Sequence, residues 1–226
     1  MNPGSDVRLP VSSRVRWVIL LWGACLAYAI VRYNVFNGVE WIHLPLYVVN
    51  KSLALGGVIF IALSYLVGKL FDPYPRDARR RRAMAKFFGL TGFTMISMHL
   101  FMGFIMLSPA YYAKFFLESG KMNLTGELTF LFGVLAVGCL FFPAITTLPY
   151  MYEALGAQRW LSAQRMGYWA LALACGHTLT MGYKGWFDVS SWPGSLPPIT
   201  LLGFLAALSA VVVKLVFLAR GRGRSA

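Results

Sequence analysis

Six windows of about 20 apolar residues begin near Arg16, Tyr47, Phe87, Glu127, Met166 and Ile199. That is the length a helix needs to cross a ~30 Å hydrocarbon core while satisfying every backbone amide internally. The expected fold is therefore all-α, a polytopic membrane bundle of six transmembrane helices. The bundle is expected over residues 16–219, with a cytoplasmic tail at 1–15 and a basic tail at 220–226. Composition agrees, since 58% of residues are hydrophobic and only 13% are charged, outside the range of soluble domains. No convincing small-residue cleavage site follows the first apolar run, so its helix is expected to be retained.

The net charge of +13 reads as topology once its distribution is considered. With six spans, one side carries both termini and holds Arg8, Arg14, Arg16, Lys69, Arg76, the run Arg79 to Arg82, Lys86, Arg159, Arg165, Lys214, Arg220, Arg222 and Arg224. The other side holds Arg32, Lys51, Lys114, Lys121 and Lys184. The excess of Lys and Arg places both termini in the cytoplasm, facing anionic headgroups. The expected partner is the lipid bilayer, and nucleic acid is not expected. The three cysteines, Cys25, Cys139 and Cys175, fall inside spans as small apolar residues and offer no disulfide framework.

Few polar residues interrupt the spans. His43 falls in the outer loop NGVEWIHLP and is expected to be solvated. Lys51 lies in the first turns of the second helix, either snorkelling to headgroups or anchoring an anionic cofactor group. The segment FDPYPRDARRRRAMAK reads as a turn and a basic ramp into the third helix. There Gly92, Ile96 and Gly103 share the face of His99, and the two glycines are expected to leave room for something flat. The fourth helix, expected over Glu127 to Tyr150, carries Pro143, Thr146, Thr147 and Pro149, a kink with hydroxyls to serve the freed carbonyls. No aspartate or glutamate lies within a span, which weighs against a solute transporter.

His99 and His177 are the two intramembrane histidines, and such residues are costly unless functional. His99 follows Lys86 by 13 residues and His177 follows Arg165 by 12. At 1.5 Å per residue both rings lie roughly 18–20 Å from the cytoplasmic boundary. Level histidines on two helices suit a hydrogen-bonded pair, a two-ligand metal site or the axial ligands of a haem. A bare metal ion usually takes four or more donors, whereas a porphyrin supplies four itself.

The ramp RRRRAMAKFFGL leading to His99, the segment ALGAQRWLSAQRMGYWALALACGH ending in His177, and the six-helix layout together resemble the ferric reductase-like transmembrane domain family. Within it, the likeness is to the bacterial haem-binding membrane subunits of periplasmic methionine sulfoxide reductase systems, and it covers about Lys51 to Trp186. The resemblance implies an oxidoreductase subunit or membrane cytochrome b in the bacterial inner membrane. Such a protein passes electrons from a quinol, flavin or reductase to an outer acceptor, and a redox partner protein is expected. His99 and His177 match the axial ligands of haem b, and Lys51 or Arg165 is positioned to pair with anionic cofactor groups. Family members commonly carry a second histidine in a pattern like LHRLVY, where this chain has AQRMGY with Gln164. Lys86 occupies the matching depth in the third helix, so a single haem in the outer half is expected. Trp160, Tyr168 and Trp169 lie between the cytoplasmic edge and His177. No G-x-G-x-x-G fingerprint is present, so the electrons are expected from outside these 226 residues. The alternative is a haemless or redox-impaired membrane scaffold or assembly subunit with the same fold.

Overall fold

A computed structural model describes residues 9–67 and 77–222. Arg8, Lys69, Arg76 and Arg224, and the prolines of the loop after the second helix, lie outside the described residues. Helix α1 (Val11–Ile30) continues through a wider π turn at Val31–Phe36. It begins five residues before the expected bundle boundary. Helix α2 (Val49–Leu66) follows a short 3-10 turn and a second π turn, and α3 spans Ala78–Ile105. A short α4 (Pro109–Tyr112) precedes α5 (Leu124–Ile145), α6 (Met151–Trp186) and α7 (Ile199–Arg222). No strand occurs among the described residues.

Local chemistry accounts for the helix boundaries. Asp77 caps α3, its carboxylate accepting from the Arg79 and Arg80 amides at 3.0 and 3.1 Å. Those two donors, Arg80 first, hold the carboxyl below its ordinary range. Asn123 caps α5 by accepting from the Gly126 amide at 2.9 Å. The end of α5 differs from expectation: it stops at Ile145 instead of running kinked to Tyr150. The hydroxyls do serve the carbonyls near Pro143, with Thr146 donating to Phe142 at 2.9 Å and Thr147 to Ala144 at 2.6 Å. Helix α6 begins well before Met166 and is broken at Gly156, whose φ of 70° suits a residue without a Cβ.

Five segments are long and apolar enough to cross a membrane: Val11–Phe36, Trp41–Leu66, Ala78–Ile105, Leu124–Ile145 and Pro193–Arg220. This makes a lipid bilayer the fitting environment. Helix α6 is long enough but less apolar, because His177, Thr178 and Thr180 interrupt its second half.

The helices form a closed ring in the order α2, α3, α5, α6, α7 and back to α2, with α1 packed outside against α2. Helix α2 is the most enclosed of the five apolar segments. Its crossing with α3 is tight: a Cβ on Gly92 would come within 2.8 Å of the Gly57 carbonyl oxygen and 2.9 Å of the Ile61 nitrogen. Gly92 is thus spent on helix contact, and the expectation that it leaves room beside His99 is corrected. Periodicity places Gly92 on that face without saying that α2 fills it. Around this crossing, Ile61, Ile96, Leu140, Leu171 and Ala207 draw the five ring helices into one apolar core. Arg32 is buried and donates to the Leu196 carbonyl, while the Tyr28 hydroxyl donates to the Pro197 carbonyl at 2.6 Å. These bonds tie the end of α1 to the start of α7.

Candidate functional site

His99 on α3 and His177 on α6 meet inside the ring, with ring centroids 6.4 Å apart and planes at 76°. The depth argument therefore pairs the correct residues. His177 Nδ1 lies 2.8 Å from the Thr129 carbonyl of α5. A carbonyl can only accept, so Nδ1 carries the proton and Nε2 keeps its lone pair. His99 Nδ1 lies 2.8 Å from the Asn50 side-chain oxygen of α2, which imposes the same form. Two neutral imidazoles thus share one tautomer, each with Nε2 unprotonated. One hydrogen-bond acceptor orients each ring, as around metal-binding histidines.

Both rings border a cavity walled by α2, α3, α5, α6 and α7. Its volume is about 190 Å³, below the roughly 300–1,000 Å³ of ordinary small-molecule pockets. Gly103 lines it and has nothing within 4 Å of a built Cβ, so this glycine does leave space. Gly133 on α5 makes room for the His177 ring: a Cβ there would stand 2.9 Å from His177 Nδ1. Gly133→Ala is expected to push His177 off the Thr129 carbonyl. Imidazole ¹⁵N shifts of the purified variant measure the change, and an unaltered His177 signal would mean that the ring does not pack against Gly133.

Lys51 also lines the cavity. Its Nζ sits 4.7 Å from the Tyr47 ring centroid, 5.4 Å from Tyr112 and 5.8 Å from Tyr33. The ammonium is thus held by aromatic faces within the protein wall, and no carboxylate pairs with it among the described residues. Arg165 is exposed on α6 and does not line the cavity. His43 is exposed as expected, its ring edge-on to Tyr111. The three cysteines are free.

Towards Gln164 the helices are joined by side-chain hydrogen bonds. Gln164 donates to the Thr146 hydroxyl at 2.8 Å and reaches the Pro143 carbonyl at 3.4 Å, so its amide serves the end of α5. Trp160 donates to the Thr146 carbonyl at 2.9 Å. Tyr65 of α2 donates to the Gln164 backbone carbonyl at 2.8 Å, and its ring centroid lies 4.5 Å from that of Tyr168 with the planes tilted by 54°. Its hydroxyl lies 1.7 Å from where a Gly167 Cβ would be, which explains why glycine stands there. Trp169, by contrast, is exposed.

Sequence reasoning missed Asn50, Thr129, Gly133 and the tyrosines around Lys51. Asn50 carried a usable signal, an amide inside an apolar span directly before a lysine. Asn50 is 1% exposed, and its Nδ2 has no hydrogen-bond partner among the described residues. A buried donor left so costs about 1–3 kcal/mol. No group of three or more His, Cys, Asp or Glu able to hold a bare metal ion occurs among the described residues.

No protein-family model matches the chain, and no curated protein matches it.

Proposed function

We propose that the chain is a b-type haem protein of the bacterial inner membrane, serving electron transfer from a cytoplasmic-side quinol, flavin or reductase to an acceptor on the outer face. The observation that carries this reading is the histidine pair, two imidazoles lining one apolar cavity with each Nδ1 engaged by an acceptor. Two imidazoles on one metal at about 2 Å each, with roughly 1.1 Å from nitrogen to ring centre, put the centroids roughly 6 Å apart. The observed 6.4 Å agrees. Two protein donors are too few for a bare ion and sufficient for a porphyrin-held iron. The ferric reductase-like resemblance points the same way.

In this reading His99 and His177 hold the haem iron, which supplies a reversible one-electron couple. The apolar walls exclude water, and Lys51, already desolvated among tyrosines, pairs with an anionic edge of the group. Arg165 faces the headgroup region and meets anionic lipid or a donor there. Tyr65 and the engaged Gln164 occupy the volume a second, inner group would need, which supports one haem per chain. All six long helices cross the bilayer with both termini cytoplasmic. For α6, support comes from its packing between two apolar spans, α5 and α7, with His177 turned inward.

A reduced-minus-oxidised visible spectrum of protein purified after expression with ample haem tests the proposal. A b-type difference signal is expected. Its absence would leave the haemless scaffold as the better reading.

A further inference from the structure

We propose that Asn50 is the positioning residue of the histidine pair, holding His99 with its proton on Nδ1 and its Nε2 lone pair toward the cavity. The purpose of this device rests on the haem reading above; the hydrogen-bond geometry does not. His177 needs no side chain for the same task, because a main-chain carbonyl of α5 holds its Nδ1. His99 has only Asn50, one bond of 2.8 Å from the neighbouring helix. Imidazole in water favours the Nε2–H form, in which the nitrogen facing the cavity carries a proton and cannot ligate. Something must therefore override that preference at His99, and the Asn50 oxygen is the acceptor that does so.

The other half of the amide indicates what this asparagine is for. Asn50 is 1% exposed, its Nδ2 is occluded, and that donor is left without a partner among the described residues. A residue chosen to stabilise the fold at this position would be apolar and of similar volume, since a buried unpaired donor opposes folding. Asn50 is tolerated against stability because its oxygen does work on His99. A structural role and a positioning role therefore predict opposite effects for the isosteric apolar variant.

The test compares wild type with Asn50→Leu and Asn50→Asp, each with ¹⁵N-labelled histidine and free of haem. Imidazole ¹⁵N shifts identify the tautomer, and a His99→Ala sample assigns the signal. In the wild type His99 is expected as the Nδ1–H form. In Asn50→Leu it is expected to move toward Nε2–H, with a melting temperature equal to or above the wild type. Asn50→Asp keeps an acceptor and is expected to restore Nδ1–H. On haem titration, Asn50→Leu is expected to bind about 10–100-fold more weakly, and Asn50→Asp to bind with a lowered midpoint potential because a charged acceptor makes the ligand more basic.

An unchanged tautomer in Asn50→Leu, or a lowered melting temperature with the tautomer retained, would overturn the proposal. A tautomer shift in protein that takes up no haem in any form would uphold Asn50 as the positioning residue while removing the haem reading.

Discussion

His99→Ala and His177→Ala are each expected to reduce the b-type haem signal of the purified protein to background, whereas His43→Ala should leave it at the wild-type level. The two rings stand 6.4 Å apart, both line the cavity, and each has its Nδ1 engaged by an acceptor. Removing either leaves one donor where a six-coordinate iron takes two, and no third histidine is near. His43 is exposed and touches Tyr111 instead. Because each ring borders open space, truncation deletes no packed core, and the fold should survive it. Size-exclusion profile and melting temperature check that survival. Full haem retention by either intramembrane variant would refute the axial assignment, since the variant would then have found ligands that this cavity does not offer.

Gly92→Leu is expected to destabilise the bundle by about 1–3 kcal/mol, the range for forcing atoms into a packed core. A leucine at that point meets the Gly57 carbonyl and the Ile61 amide of α2. Backbone cannot swing aside, so α2 and α3 must separate. These helices carry Asn50 and His99, and haem content should fall along with stability. Gly103→Ala, one cavity wall away, is the contrasting case. Nothing lies within 4 Å of its Cβ, and alanine in a helix is favoured over glycine by about 1 kcal/mol. Its melting temperature should hold or rise. Thermal unfolding in one detergent compares the two directly, and equal losses would mean that α2 and α3 do not cross at Gly92.

These two glycines mark the limit of what the sequence could convey. Hydropathy predicts helices because a chain in hydrocarbon must bond its own amides, and charge predicts sidedness. Counting residues from a basic boundary predicts depth and sets His99 and His177, far apart in the chain, at one level; the structure brings the two rings within 6.4 Å. Depth is a one-dimensional quantity, however. Periodicity places Gly92 and Gly103 on one face of α3, yet α2 covers the first and the cavity borders the second. Which neighbour covers a face depends on ring order, and nothing within α3 encodes that order. Lys51 shows the same gap: its position near a boundary suggested snorkelling, while the rings of Tyr33, Tyr47 and Tyr112 come from the end of α1, the turn before α2 and α4. Gln164 was recognised as a departure from a histidine pattern. Its bond to Thr146 required knowing where α5 ends.

The ratio of haem to protein in the purified, haem-replete chain tests the central claim most directly. One histidine pair, with Tyr65 and Gln164 engaged in hydrogen bonds where a second pair would have to stand, predicts a ratio of one. A ratio of two would require an inner site that these side chains occupy, and a ratio of zero would mean that the histidine pair serves the fold alone.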